Sequence, residues 1–517
     1  MLLFKADTRQ PLTCDGAEFG SGNNTMKVLG LSALEARLKH DLSIIEYPLN
    51  EWVPERFTKE GERILDVLIV GGGQGGLAIA FQLMRERVNN VLVIDKAEPG
   101  KEGPWINYAR MPILRSPKEV NGPDLNIPSL SFQAWYEAQF GASSWKAMGK
   151  IPTKMWMNYL VWYRGILQLP VENWVSLDAF EPYEDIQKVT LSCLRTNTIK
   201  TVFTRKIVLA TGIESSGEWW SPPITETIPK QYWSHASENI DFSRLAGKRV
   251  AVLGAGASAM DNALAALTAD ASEVKVFCRR PELQRIQPFK WLSFPGFLRH
   301  FSELNDDWRW KFMSYLLELR EAFPRETWER ANQFDGFHLE TGVPWQDLSI
   351  VDEQILIETP KGQYTADFLI FGTGFIIDIS RRGELRQHAG LIALWRDRYS
   401  KSKEDKNSLL LDYPYLGHGF EFLEKKPGTA CWLKNIHLFT FGATMSFGPS
   451  GSSINAMKFA VPRLVNAITK DLFFEDIDAH YKSLKAYDLP EFAMSDEDLE
   501  IAPNKPQIRR MEGNNFS

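Results

Sequence analysis

One pattern, met twice, limits what this chain can fold into: an apolar strand, a glycine turn, an apolar helix and a second strand. The first copy reads ILDVLIV from Ile64, then glycines and a helix, then VLVID at 91–95. The second reads RVAVLG at 249–254, a helix near 257–268, then EVKVF at 273–277. Such order predicts βαβ units with parallel strands, and 517 residues leave room for more than one domain. The expected fold class is α/β, with two Rossmann-like domains.

Gly71, Gly73 and Gly76 form G-x-G-x-x-G between the first strand and its helix. The first glycine permits the tight turn, the second lets a pyrophosphate approach the backbone, and the third lets helix and strand pack closely. Gln74, Gly75 and Gly76 then place free N–H groups and the positive end of the helix dipole toward phosphate. Asp95 lies 19 positions after Gly76 (95 minus 76). A carboxylate there accepts from both hydroxyls of an unphosphorylated ribose.

The second turn is Gly254, Ala255, Gly256, Ala257, Ser258, Ala259, with Ala259 at the third glycine position. Arg279 stands 20 positions after Ala259 (279 minus 259), where the first unit has its acid. A guanidinium offers paired donors to a 2′-phosphate that a carboxylate would repel, so NADPH is expected over NADH, with Arg280 as the alternative.

Two further strands end in glycine, KIVLATG at 206–212 and DFLIFGTG at 367–374, and both are expected to return to the first sheet. Residues 286–346 read as a helical, aromatic-rich insertion in which most rings fill a core. A helix over 32–45 is expected, with Leu34, Leu38, Leu42 and Ile45 on one face and Ser32 and Glu35 as a capping box. The domain division follows: 1–62 an N-terminal extension; 63–225 with 365–490 the first nucleotide domain; 226–364 the second, including the insertion; 491–517 a surface tail. Residues 1–25 are patternless, which makes Met26 an alternative start.

A formal charge of −6 gives no general attraction to nucleic acid. Cys14, Cys193, Cys278 and Cys431 form no C-x-x-C, which fits a reducing cytoplasm and argues against a disulfide reductase. The start carries Lys5 and Asp7 within any signal core, and no apolar run is long enough to span a bilayer. The eight histidines show no zinc spacing, so no metal is expected.

With these motifs in place, the chain resembles the two-dinucleotide-binding flavoproteins, and among them the flavin-containing and N-hydroxylating monooxygenases. IDKAEPGKEGPW (94–105) looks like that family's acid, lysine and G-G-x-W stretch. The resemblance implies FAD in the first site, with Asp95 on the ribose, Lys96 near the adenine and Trp105 approaching the flavin. His235, ahead of GKRVAVLGAG, matches the family's fingerprint histidine, but IPKQYW replaces the phenylalanine and glycine of a Baeyer–Villiger enzyme. VLATGI, with Thr211 and Gly212, and FGTGF, with Gly372, Thr373 and Gly374, look like its paired segments at the domain crossover.

The implied activity is a monooxygenase. NADPH reduces the flavin, O₂ forms a C4a-hydroperoxide, and one oxygen passes to a small substrate, with N- or S-oxygenation favoured. The protein's share is positioning and exclusion of water. No catalytic side chain is assigned. Trp105, the adjoining NYARMPILRSP and GATMSFGPSGSSINAMKF (442–459) are candidates to surround the ring, and a serine-capped helix is the plain reading of the last. A flavin dehydrogenase or oxidase, or a nucleotide-sensing protein without turnover, would share every one of these motifs.

Overall fold

The computed structural model describes residues 30–213, 215–399, 408–449, 451 and 453–492. The readings of Met26, of the N-terminal arm, of Cys14 and of most of the tail lie outside them.

The first apolar run forms the strand Arg63–Val70, and Val67, Leu68 and Ile69 are fully buried. A strand apolar on both faces needs cover on both sides, which a parallel sheet with crossover helices provides. Eight strands make this sheet. The order along its main path is 171–173, 91–95, 63–70, 198–209, 186–193 and 175–183. Ile436–Leu438 adds in parallel to Thr198–Leu209 from the other end of the chain. The helices Gln74–Arg85 and Met457–Glu475 share one core cluster on this sheet.

The second sheet has five parallel strands in the order 337–341, 273–278, 249–253, 368–371 and 233–235. Its core includes Val250, Val252, Val274 and Val276 beneath the helix Ala257–Thr268. A three-stranded antiparallel meander over 347–366 precedes the strand Phe368–Phe371.

Three expectations are corrected here. Phe368–Phe371 does not return to the first sheet: it pairs with Arg249–Leu253 in the second, and the chain crosses back only after Gly374. The stretch 286–346 is helical from Pro288 to Ala331, but it ends on Phe337–Thr341, an edge strand of the second sheet. Its rings are divided: Trp310, Phe297 and Phe301 are buried, whereas Trp291 and Trp308 are exposed. The N-terminal helix starts at Leu31 with Gly30 as N-cap and no side-chain cap, so Ser32 and Glu35 form no capping box. Glu35 accepts instead from Trp162 Nε1 at 3.0 Å. Leu38 is buried as expected, while Ile45 is exposed.

No described helix is long and apolar enough to cross a membrane. Cys193, Cys278 and Cys431 are free thiols. Among the described residues no cluster could hold a metal ion.

Candidate cofactor sites

The two glycine turns are built alike, down to single hydrogen bonds. Gly71 N donates to Ile94 O at 2.7 Å and Gly254 N to Phe277 O at 2.9 Å. Ala210 N donates to Val70 O at 2.8 Å and Gly372 N to Leu253 O at 2.9 Å. Both first glycines have φ of 112°, a conformation that only glycine adopts without strain. A Cβ on Gly71 would lie 2.4 Å from Ala210 O, and one on Gly254 would lie 2.4 Å from Gly372 O. Ala210-Thr211-Gly212 and Gly372-Thr373-Gly374 are therefore equivalent wedges against the two turns.

The third position differs between them. A Cβ on Gly76 would meet Gly71 O at 1.8 Å, so glycine is required. Ala259 carries the methyl in the second unit, and it fits because Gly372 has no side chain: a Cβ there would lie 2.4 Å from that of Ala259. The second glycines face open space, with only Gly103 Cα at 3.9 Å from a Cβ on Gly73 and nothing within 4 Å on Gly256. These are the places where a pyrophosphate would approach.

Asp95 Oδ2 accepts from Gly72 N and Oδ1 from Ala97 N, both at 2.7 Å. The carboxylate thus pins the first turn and keeps lone pairs for a ribose. Lys96 beside it is exposed. Gln74 Oε1 accepts from Trp156 Nε1 at 3.2 Å. Trp105 Nε1 and Thr211 Oγ1 are buried without a partner among the described residues. Two orphaned polar atoms beside an open glycine cradle are what a polar cofactor would satisfy.

Sequence reasoning missed the brace beneath this loop. Glu102, 4% exposed, accepts from Arg164 Nη1 at 2.8 Å, Asn173 Nδ2 at 2.7 Å and Gly100 N at 2.9 Å. It was in view as part of KEGPW, but nothing local marks an acid as buried.

At the second site Arg279 is exposed, and Arg280 is spent on structure. Arg280 Nη2 donates to Glu318 O at 3.1 Å, near the carbonyl end of the helix Asp306–Leu319. Arg320 is close enough that Arg280 and Arg279 both push its pKa down, after burial. The strand end is therefore more basic than the Arg279–Arg280 pair alone suggests.

His235 ends the strand next to Phe371 and is buried. Its Nδ1 lies 2.7 Å from Ser237 Oγ and accepts from Ser237 N at 3.2 Å. Burial lowers its pKa, so the ring is neutral. It packs on Trp219, which also meets Tyr108 and Phe375. This row of rings lies where the chain crosses between the sheets. There Gly217–Trp219 pairs antiparallel with Phe375–Ile377, Trp220 N donates to Gly374 O at 2.9 Å, and Thr373 Oγ1 bonds Trp220 O.

Phe439, three residues ahead of the 442–459 segment, borders the first site, its ring 3.5 Å from where a Cβ on Gly75 would lie. Ser450 and Ser452 are outside the described residues. The long helix that follows has Ala456 as N-cap with no side-chain bond, so the serine-capped reading is corrected. Asn455 Nδ2 donates to Ser293 Oγ at 3.0 Å, tying this segment to the helical insertion.

Two glycine turns at the ends of parallel strands in two sheets, joined by paired crossovers, define a flavoprotein oxidoreductase with two dinucleotide-binding domains. The family described as pyridine nucleotide-disulphide oxidoreductase matches residues 68–307. Over 467 residues, covering 90% of this chain and 98% of the relative, the chain is 40% identical to the FAD-dependent urate hydroxylase of Xanthomonas campestris pv. campestris. The chain belongs to that family of flavin-dependent monooxygenases. Among solved structures, the ornithine N-hydroxylase of Kutzneria sp. 744 is similar with a TM-score of 0.61 at 15% identity, covering 79% of this chain and 99% of that one. The ornithine hydroxylase of Pseudomonas aeruginosa gives 0.61 at 13%, covering 79% and 100%. These two likenesses show the shared fold.

Proposed function

We propose that the chain is an FAD-dependent, NADPH-consuming monooxygenase whose substrate is urate or a closely similar oxidised purine. The observation that carries this reading is the 40% identity to FAD-dependent urate hydroxylase across 98% of that protein. It moves the expected substrate from an amine or sulfide to a planar heterocycle.

In this reading FAD belongs to the first unit and NADPH to the second. The open face of Gly73, the orphaned Trp105 Nε1 and Thr211 Oγ1, and Asp95 at the strand end support the first assignment. The open face of Gly256 and the exposed Arg279 beside Arg320 support the second. The domain division stays as read from the sequence, except that the boundary before the crossover back falls after Gly374 rather than at 365. When bound, the flavin supplies transfer of two electrons from NADPH to O₂, which activates one oxygen atom for insertion.

The protein's own residues bind, orient and keep the chamber dry. The rings of Tyr108, Trp219, Phe375 and Phe441 form an apolar row at the crossover, with Phe375 and Phe441 centroids 5.0 Å apart. Neutral His235 braces this row without adding charge.

The test uses purified protein: its visible spectrum, NADPH and NADH oxidation, and O₂ uptake with urate, ornithine and a thioether as substrates. Urate-stimulated NADPH oxidation with loss of urate's ultraviolet band is the expected result. Stimulation by ornithine or the thioether alone would overturn the substrate class, and a colourless protein that takes up no FAD would overturn the cofactor assignment.

A further inference from the structure

The C-terminal helix Ile477–Ala486 has no buried residue. Ile477, Tyr481 and Leu484 follow helical spacing of four and three, so they form one stripe, and Phe474, at the end of the preceding helix Met457–Glu475, lies across the turn at Asp476. All four are exposed, Phe474 and Tyr481 at 59% and Leu484 at 69%. The helix touches the body along its neighbouring edge, where Phe473 and His480 pack on Trp52. From Trp52 the chain leads back to Leu49, Tyr47, Ile45 and Ile44, all exposed as well. A soluble chain does not keep so long an apolar face in water unless something covers it.

Charge indicates the cover. Asp478 flanks the stripe near its N-terminal end, and Lys482 and Lys485 flank it on the same side toward the C-terminal end. Among the described residues none of these three is in an ion pair, although Lys485 Nζ lies 4.8 Å over the Tyr481 ring. A second copy of the helix laid antiparallel sets the Asp478 end of each against the Lys482 and Lys485 end of the other. A parallel copy about a two-fold along the helices would put the two charged edges on opposite sides and leave these charges without opposite partners. The stripe is also its own complement, as a two-fold interface requires.

We infer that two copies of this chain associate through the helix Ile477–Ala486, antiparallel across a two-fold axis, with Phe474, Ile477, Tyr481 and Leu484 at the centre of the interface. Light scattering on the full chain at micromolar concentration should give twice 59.0 kDa. Tyr481→Glu with Leu484→Glu should give a single-chain mass with unchanged circular dichroism. Asp478→Lys should raise the dissociation constant at least tenfold, and adding Lys482→Glu and Lys485→Glu should restore it; that rescue does not depend on the apolar variant folding.

A single-chain mass for the wild type, or a dimer that survives both sets of changes, would overturn the proposal. So would a full chain that is single but dimerises when cut after Phe492, because the tail would then occupy the face. Co-sedimentation of a single-chain form with phosphatidylserine vesicles would assign the face to a membrane surface and likewise overturn it.

Discussion

Arg115 Nη2 lies 3.2 Å from Asp261 Oδ2, and this ion pair spans the seam between the two nucleotide-binding units. Asp261 is on the helix that follows the second glycine turn, and it is 3% exposed. Thr327 Oγ1 donates to its other oxygen, Oδ1, at 3.1 Å. Lys150 and Glu326, 2.7 Å apart, form a second link across the same cleft. Burial raises the Asp261 pKa, and the Arg115 guanidinium beside it opposes that rise. Arg115→Ala should lower stability to denaturant by about 1–3 kcal/mol. It should also slow anaerobic reduction of bound flavin by NADPH several-fold while leaving reduction by dithionite unchanged. Equal slowing of both would mean that the pair does not set the angle between the units.

The two glycine turns separate a folding requirement from a binding one. Gly76→Ala forces a methyl to 1.8 Å from a backbone oxygen that cannot move, and should cost about 3 kcal/mol or more, seen as loss of soluble yellow protein. Gly256→Ala has ordinary φ of −78° and open space around it, so the variant should fold with an unchanged melting temperature. Its methyl would stand where we propose that the pyrophosphate approaches, and KM for NADPH should rise about tenfold, equivalent to about 1.4 kcal/mol.

Both turns were legible because a strand, glycines at fixed offsets and a charge at the next strand end all lie within one short segment. The sheet to which Phe368–Phe371 belongs was not, because KIVLATG and DFLIFGTG carry the same local pattern and only long-range pairing assigns each its partner. Arg115 and Asp261 are 146 positions apart, and although Arg115 lies in the NYARMPILRSP stretch, nothing local marks the two as partners. The capping box at Ser32 fails because the N-cap is Gly30, two residues earlier, which makes Ser32 the second residue of the helix. Local chemistry is read from spacing, whereas contacts across the seam depend on how two finished units meet.

Arg279 and Arg280 are adjacent, yet they should respond differently. Arg279→Ala should raise KM for NADPH about tenfold or more and leave NADH unaffected, since a charged hydrogen bond to phosphate is worth about 1.5–3 kcal/mol. Arg280→Ala should mainly lower the melting temperature, because its guanidinium is bonded to the carbonyls of Glu318 and Leu319. Kinetics with both nucleotides on both variants check this, and a larger NADPH defect in the Arg280 variant would reverse the assignment.

His437 should set part of the acid stability. It lies on Ile436–Leu438, 1% exposed, with Nδ1 donating to Gly419 O at 2.8 Å. Burial, with Lys206 nearby, pushes its pKa down to about 4, against a weaker opposing pull from Asp471. A ring with a depressed folded pKa contributes its stability in full above its unfolded value of about 6.5. That stability is lost as pH falls from there toward 4, because the unfolded chain takes a proton that the folded chain refuses. The slope is about 1.4 kcal/mol per pH unit, about 3 kcal/mol over the window. Asp66, raised to about 6 chiefly by burial, works the other way and gains stability over much of the same range, so wild type alone does not isolate the histidine. His437→Gln keeps a donor for Gly419 and removes the titration. Its denaturation free energy should therefore fall less steeply than that of wild type between pH 6.5 and 4, and parallel curves would show that the ring charges freely in the folded chain.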